Sequence, residues 1–340
     1  VVYFMAEMRQ ETDYVKHHIQ KVVAFFKSMR SFADWLESEQ HTIVYYTLDA
    51  EKNQQDLVQN LKQLINEHNI EKFEYQLPDE YRLDEQLKDF CDEITIESEV
   101  FDTEHFLTSR TDFTEFFEGK KQLVMEYFYR DMRKKYDIMM LNDKNPEGGK
   151  WNFDQSNRKK WKGEPEIPQE KQLKNSVEDI YEMIQNSEIN TIGNIDVANF
   201  HWPTNRADSL KLLDYFCEEL LVHFGDYQDA MHTDEHFLFH SRLSFAMNSK
   251  MLHPKEVIET VVSYWREHKE AIDISQVEGF VRQILGWREY MRGMYWKEMP
   301  NYSTLNTLDN TNSLPDFFWT GNTKMNCLKH AISQSLDKAY

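Results

Sequence analysis

The first hundred residues of the chain alternate between short apolar runs and longer segments with one apolar face. The apolar runs have the composition of buried strands, and they are VVYFMAEM (1–8), TIVYYTLD (42–49), KFEYQL (72–77) and ITIESE (94–99). The segments between them, the longest at residues 12–39, keep the 3.6-residue period of an amphipathic helix. Because strands separated by helices pair in parallel through right-handed crossovers, this alternation predicts a Rossmann-like α/β domain over residues 1–138. No GxGxxG turn follows any of these strands, so the sequence does not predict a dinucleotide-binding fingerprint.

The pattern changes after residue 138. Residues 139–175 include NPEGGKWNFD and NRKKWKGEPEIP, which hold much of the chain's glycine and proline, and we interpret them as an interdomain linker. Beyond the linker, apolar residues recur at helical spacing and no strand pattern occurs. The expected helices lie at about 176–186, 206–224, 238–250, 254–268, 276–297 and 323–340. Residues 176–340 are therefore predicted to form an all-α domain.

The charge and cysteine content limit the partners and the compartment. The formal net charge is −20, which repels nucleic acid and anionic membranes, so any anion-binding site must be local. The three cysteines, Cys91, Cys217 and Cys327, lie far apart without a CxxC motif, which is typical of a reducing compartment and predicts a cytoplasmic location. No apolar run reaches the length of a transmembrane helix, and we expect a monomer that does not associate with membranes.

The helix-like stretch EGFVRQILGWREYMRGMYW (278–296) combines an apolar face with several cations and tryptophans. Arg288 and Arg292 are four residues apart, and like charges at this spacing destabilise a helix by a few tenths of a kcal/mol unless a partner neutralises them. Glu278 and Glu289 can neutralise part of this charge, whereas a bound phosphate would do so through bidentate guanidinium contacts. The sequence leaves two interpretations open: a salt-bridged stripe beside a core face, or an anion-binding helix.

A second candidate for an anion site lies in HSRLSFAMN (240–248). Ser241 and Ser244 fall at the expected start of a helix, where hydroxyls and unpaired N–H groups can bind an anion. Simple capping of the helix is the alternative interpretation. Just upstream, in MHTDEHFLFH (231–240), histidines spaced by four residues could bind a divalent metal if the segment were helical, but its acidic TDE sequence favours a loop.

The run NRKKWK (157–162) places cations around Trp161. In so acidic a chain, Arg158, Lys159 and Lys160 are the candidates for a nucleic-acid contact. A solvated linker is the alternative, and charge alone favours it.

Several of these stretches together resemble one family. They are EGFVRQILGWREYMRGMYW, FGDYQDAM, HSRLSF, GGKWNFD and SLPDFFWTGNTKMNCL, and the similarity extends in order from MAEMRQETDYVKHH to CLKHAISQSLDKAY. The chain resembles the iron–sulfur bacterial cryptochromes and photolyases, also called deoxyribodipyrimidine photolyase-related proteins. The resemblance implies an N-terminal α/β antenna domain, a long linker and an all-helical flavin domain.

The resemblance also implies an activity and its cofactors. Family members bind FAD in the helical domain, a lumazine-type antenna pigment in the first domain and a four-iron–four-sulfur cluster in the second. They repair six-four photoproducts in UV-damaged DNA with an electron from light-excited reduced FAD. Some members are blue-light receptors, and a cryptochrome that signals without repairing DNA is the alternative function. The family pattern begins before Val1 and continues beyond Tyr340, so both domains are expected to be incomplete in this chain.

The family's functional positions can be carried over only where its motifs match. The FAD contacts implied in this way are Tyr227, Ser241, Leu243, Ser244 and Arg288. Gln283 and Trp287 are implied to face the lesion, and Asp229 to lie near bound DNA. The remaining matches are Trp319 at the surface end of the chain that reduces the flavin, Glu11 and Tyr14 at the antenna pigment, and Cys327 as the first cluster ligand. Cys91 and Cys217 do not match the other ligand positions, so this chain supplies one of the four cluster cysteines.

Overall fold

The computed structural model describes all residues from 1 to 340 and divides them into two compact units. The first unit, called the sheet unit, contains Val1–Phe101, Lys171–Asp208 and Thr311–Tyr340. The second, called the helical unit, contains Asp102–Glu170 and Ser209–Asn310. Each unit is therefore built from segments that are distant in the sequence.

Parallel strands are the basis of the sheet unit, as the alternating pattern predicted. Strand β1 (Val2–Ala6) pairs in parallel with β2 (Thr42–Tyr46), and β3 (Lys72–Gln76) pairs in parallel with β4 (Glu97–Phe101). The strands form separate two-stranded sheets rather than one continuous parallel sheet. Strand β4 is exposed along its whole length, which fits its position at the edge of a small sheet.

Most helices of the sheet unit lie at predicted positions, but the short helix Phe317–Thr320 and the division of the helix expected at 12–39 were not predicted. The helices are α1 (Arg9–Asp13), α2 (Ile19–Ser38), α3 (Leu57–His68), α4 (Tyr81–Glu93), α7 (Glu178–Asn186), α14 (Phe317–Thr320) and α15 (Asn326–Lys338). The single helix expected at 12–39 is divided, because the chain is extended at His18 and the His18 ring accepts a hydrogen bond from the Gln20 amide as the N-cap of α2. Histidine supplies this cap, which the sequence pattern did not reveal.

The helical unit encloses the main apolar core. Its elements are α5 (Asp112–Phe116), α6 (Met125–Lys135), the β5–β6 hairpin (Met140–Asn142 and Asn145–Pro146), α9 (Leu221–Tyr227), α10 (Ser244–Asn248), α11 (Pro254–Glu267), α12 (Ile274–Val281) and α13 (Glu289–Glu298). Helix α8 (Arg206–Tyr215) includes the boundary between the units and leads into a π-helical stretch, Phe216–Leu220. Phe216, Phe239, Val261 and Leu285 are fully buried in this core.

The units do not follow the predicted boundaries at 138 and 175. Residues 102–138 belong to the helical unit because Phe113, Phe128 and Tyr129 are buried in its core. The expected linker is not simply a solvated connection, since Trp161 and Ile167 pack against the same core. Residues 176–208 and 311–340 cluster instead with the sheet unit.

The helix expected at 238–250 is shortened to α10, which has five residues. Leu238 and Arg242 both adopt positive φ angles, 45° and 55°, which interrupt a right-handed helix before residue 244. The histidine-containing segment 231–240 is irregular, so its histidines do not share a helical face. No helix in the structure is both long enough and apolar enough to cross a membrane.

Candidate functional site

A π-helical stretch, Arg282–Arg288, joins α12 to α13 within the motif EGFVRQILGWREYMRGMYW. Gln283 is half-buried, and Trp287, four residues later, is 43% exposed and packs edge-on against Tyr290. π-Helical turns are rare and frequently occur at functional sites. The two residues implied to face the lesion are therefore both accessible on one irregular turn.

The opposite side of this turn is anchored by a buried carboxylate. Glu278 is fully buried and accepts hydrogen bonds from the Tyr129 hydroxyl at 2.9 Å and the Phe153 amide at 2.9 Å. Arg282 donates to the same carboxylate at 3.2 Å. Burial raises the pKa of Glu278 and raises the pKa of Tyr129 well above its usual value, while the adjacent Arg282 favours the charged carboxylate.

Arg282 also fixes the GGKWNFD segment (148–154). Its guanidinium donates to Asn157 at 2.9 Å and to Asp154 at 3.4 Å. The Asn157 side chain in turn donates to the Ser275 carbonyl at 3.2 Å, at the start of α12. This motif is thus part of the packing that holds the π-helical turn in place.

Arg288 and Arg292 are both directed at one irregular segment, Asp102–Ser109, which we call the strap. Arg288 donates to the His105 carbonyl at 3.3 Å, and Arg292 donates to the Thr108 carbonyl at 2.6 Å. Both guanidinium groups lie over the Phe106 ring, 3.9 Å and 4.4 Å from its centroid. The protein itself therefore stabilises this like-charge pair, but through backbone carbonyls and an aromatic ring rather than through the salt-bridged stripe considered from sequence. The FAD contact implied for Arg288 stays a prediction.

The HSRLSF segment directs its side chains to different surroundings. Leu243 is fully buried. Ser241 is half-buried, and the Ser241 Oγ accepts a weak hydrogen bond from the Leu243 amide at 3.5 Å. Ser244 is exposed as the first residue of α10. No side chain caps α10, so the capping interpretation does not apply. Because α10 is so short, its dipole can add little to an anion site.

Arg242, between Ser241 and Ser244 in the sequence, contacts residues outside the HSRLSF segment. Its buried guanidinium pairs with Glu170 at 3.1 Å and lies 4.6 Å from the Phe237 ring. It lines a cavity of about 520 Å³ together with Trp161, Tyr215 and His240, whereas Ser241 and Ser244 do not line this cavity. The fifth implied FAD residue, Tyr227, is buried, stacks on Phe239 and donates its hydroxyl hydrogen to the Glu164 carbonyl at 3.3 Å.

His105 contacts both Arg288 and α10, the helix that begins with Ser244. The His105 carbonyl accepts from Arg288, and the His105 ring nitrogen Nε2 donates to the Met247 carbonyl in α10, the helix that begins with Ser244. Hydroxyl and guanidinium groups are the donors that a diphosphate requires, so the chemistry of Ser241, Ser244 and Arg288 fits the phosphate groups of FAD. Ser244 and Arg288 lie on elements that His105 connects, whereas Ser241 lies in the irregular segment before α10.

The cations implied at a DNA surface are partly neutralised. Lys159 pairs with Asp226 at 2.8 Å, and this hydrogen bond raises the pKa of Lys159. Arg158 pairs with Asp154, while Lys160 is exposed and forms no ion pair. Asp229 is also exposed.

In the sheet unit, the two residues implied at the antenna pigment come together around a third. Arg82 forms an ion pair with Glu11 at 2.9 Å, and its guanidinium lies 4.6 Å from the centroid of the Tyr14 ring. Glu11 lies in α1, directly after β1, and Arg82 lies in α4, after β3. Ligands of open α/β sheets bind at such carboxyl ends of parallel strands. Trp319 lies in α14 and is 49% exposed.

The chain does not present the ligands of a metal cluster. No group of three or more His, Cys, Asp or Glu side chains in residues 1–340 is arranged to hold a metal ion, which argues against the histidine site considered from sequence. Cys91 is half-buried, Cys217 is buried and Cys327 is exposed at the start of α15. These residues do not fit a four-iron–four-sulfur cluster, and we derive no step through one.

The cysteines differ in a way that alkylation can test. Burial raises the pKa of the Cys217 thiol to about 12, so almost none of it is the reactive thiolate at pH 8. We expect iodoacetamide to modify the exposed Cys327 at least about a hundredfold faster than Cys217 in the native protein. Mass spectrometry of timed samples measures both rates, and urea-unfolded protein is the control. Equal rates in the native protein would show that Cys217 is not buried as described.

Comparison with known proteins relates this geometry to a family. Residues 1–202 match the family model described as deoxyribodipyrimidine photo-lyase-related protein. This chain belongs to that family. The photolyase-related chain is 34% identical to a (6-4) photolyase of Agrobacterium fabrum over 343 aligned residues. The alignment covers 99% of this chain and 66% of that protein. An uncharacterized protein of Acanthamoeba polyphaga mimivirus is 32% identical over 109 residues, 32% of this chain and 82% of the viral protein.

A solved structure supports the fold of the photolyase-related chain. The crystal structure of a bacterial class III photolyase from Agrobacterium tumefaciens superposes with a TM-score of 0.62 at 13% identity, covering 99% of this chain and 62% of that one. The photolyase-related chain thus spans about two thirds of the length of these relatives.

Sequence reasoning identified the arginine-rich helix of the photolyase-related chain but missed its partners. His105 and Phe106 lie in a segment with no helical or strand period, so no pattern marked them. For Glu289, in the WRE triplet, the sequence indicates only a possible neutraliser of charge, whereas the structure shows a fully buried carboxylate.

Proposed function

We propose that this photolyase-related protein is a light-driven DNA lyase that splits six-four pyrimidine photoproducts in UV-damaged DNA. The observation that carries the proposal is 34% identity, across 99% of this chain, to a protein named as a (6-4) photolyase. The exposed Trp287 on its π-helical turn supports the same function, because a large aromatic side chain can stack on an unpaired base.

FAD is the proposed cofactor, held by the helical unit. Ser241, Leu243, Ser244 and Arg288 are proposed to hold its diphosphate, and Tyr227 to flank it. When bound, FAD supplies the absorption of light and the electron that splits the lesion. The protein's task is to hold these donors in fixed positions and to exclude water from the flavin ring.

DNA binding is proposed to depend on a local surface of the helical unit. Lys160, with Arg158 and Lys159, supplies cations in a protein whose formal net charge is −20, so binding should weaken steeply with added salt. The damaged bases must leave the duplex to reach a buried flavin, and Gln283 and Trp287 are proposed to receive them. Asp229 is proposed to lie near the DNA.

The remaining assignments concern light collection and electron supply. Glu11 and Tyr14, joined by Arg82, are proposed to bind a lumazine-type antenna pigment in the sheet unit. Trp319 is proposed to be the surface end of the path that reduces the flavin. We further propose that the protein is a cytoplasmic monomer. Cys327 is proposed as a cluster ligand only together with cysteines that this chain does not contain.

A repair assay tests the proposal. The purified protein with reduced FAD is mixed with an oligonucleotide that carries a single six-four photoproduct, and repaired strands are counted by chromatography after blue light or darkness. We expect repair only in the light, and about a tenfold lower rate at subsaturating DNA for Trp287→Ala, the loss expected for one stacking contact. The exposed Trp35, in the sheet unit, gives the control variant Trp35→Ala, which should repair normally.

The outcome also separates the two candidate functions. Photoreduction of bound FAD without any light-dependent repair would contradict the lyase assignment and support a blue-light receptor. Repair of cyclobutane dimers but not of six-four photoproducts would contradict the assigned lesion.

A further inference from the structure

We propose that His105 is a positioning residue that sets α10 and Arg288 in the relative geometry needed to bind the FAD diphosphate. This inference rests on the proposed FAD-binding function and assigns to it a residue that neither the sequence motifs nor the relatives' names indicate.

His105 forms a direct connection between the two elements. Its side chain is buried, with 5% of the residue exposed. Because a carbonyl oxygen can only accept, the bond to Met247 requires the proton on Nε2 of the His105 ring. The backbone of the same residue accepts from Arg288 at 3.3 Å. A shift of His105 would therefore move α10 and the Arg288 guanidinium relative to one another.

The strap that carries His105 is itself fastened at both ends. Glu289 accepts hydrogen bonds from the Leu107 and Thr108 amides at 3.0 Å and 3.1 Å and from the Thr108 hydroxyl at 2.6 Å. At the other end, Lys250, just beyond α10, donates to the Thr103 hydroxyl at 2.9 Å. The strap is thus bonded to α13 and to the α10–α11 connection.

Phe106 supports the arginine from the next position. Its ring lies under the Arg288 guanidinium at 3.9 Å, so the cation is held between an aromatic face and a backbone carbonyl. Side chains fixed in this way lose little additional entropy when a ligand binds, and affinity increases accordingly. His105 needs no contact with FAD to have this effect.

The test uses the full protein and compares FAD with riboflavin, which has the flavin ring but no phosphate. His105→Leu removes the donor to Met247 while keeping an apolar side chain, and His105→Gln retains an N–H donor. Dissociation constants come from quenching of flavin fluorescence. Trp265→Phe, which loses the buried indole hydrogen bond to the Ile272 carbonyl outside both the strap and the π-helical turn, is the control for general destabilisation.

We expect His105→Leu to weaken FAD binding about tenfold or more and to leave riboflavin binding within about twofold, because one charge-directed contact is misaligned. His105→Gln should restore FAD binding to within about threefold of the unmodified protein. Equal losses for FAD and riboflavin, or no loss for either, would overturn the inference while leaving the proposed function intact. Failure of the unmodified protein to bind FAD would overturn the proposed function and this inference with it.

Discussion

Replacing Glu289 with alanine is expected to lower the free energy of unfolding by about 3–5 kcal/mol, the cost of breaking a buried charged network. The Glu289 carboxylate is fully buried, and it is the group to which three donors of the strap are bonded. Its loss leaves the Leu107 and Thr108 amides without acceptors and Arg288 without its nearest carboxylate, which lies 4.0 Å away.

Urea unfolding monitored by tryptophan fluorescence measures the effect. Glu298→Ala is the matched control, because Glu298 lies on the same helix and pairs with Lys297 at a partly exposed surface. We expect that control to change the unfolding free energy by less than about 1 kcal/mol. Similar losses in the two variants would mean that Glu289 is solvated and that the strap is not fastened through it.

Gly293→Ala is expected to destabilise the protein by about 3 kcal/mol through overpacking. A β-carbon at Gly293 would overlap the ring of Phe113, which is 1% exposed and lies against the rings of Phe117, Phe128 and Tyr290. A ring confined on several sides cannot move away without disturbing its neighbours. The glycine is therefore required by the close approach of α13 and α5.

Gly286 supplies the comparison within the same continuous helix. A β-carbon there would lie 3.0 Å from the Met125 sulfur and 3.4 Å from a Tyr129 ring carbon. Since methionine is flexible and alanine favours the helix, Gly286→Ala should change stability by less than about 1 kcal/mol. Thermal unfolding of both variants tests the contrast, and an equally mild Gly293→Ala would contradict the described packing of Phe113.

The elements of the sheet unit could be predicted closely because their signals are local. Alternating apolar runs placed the four strands within a few residues, and the helical period placed α3 and α4. The division of the chain into units could not be predicted in the same way. Residues 171–208 and 311–340 cluster with the sheet unit, and such long-range pairing leaves no periodic trace in one sequence.

The candidate site could likewise be predicted only where its signal is local in the sequence. The motif around Trp287 and Arg288 was found from sequence because cations and indoles are unusual on a core helix. The residues that contact Arg288 could not be found in this way, because the His105 carbonyl that accepts its hydrogen bond is 183 positions away in the sequence. The shortened α10 has a related cause, since positive φ angles at Leu238 and Arg242 depend on tertiary packing rather than on residue type.

The arginines of the core helix consequently have two kinds of role. Arg282 belongs to an interior network with Glu278, and Arg292 holds the strap. Arg288 is held by the strap and is also implied as an FAD contact. A measurement of cofactor binding distinguishes a solely structural Arg288 from one that binds phosphate.

The most direct measurement is the visible absorption spectrum of the protein purified from its source, followed by quantification of the flavin released on denaturation. We expect a bound oxidised flavin with absorption near that of free FAD, close to one FAD per chain. Protein that is folded but colourless, and that takes up no FAD when the cofactor is added, would contradict the proposed flavoprotein function.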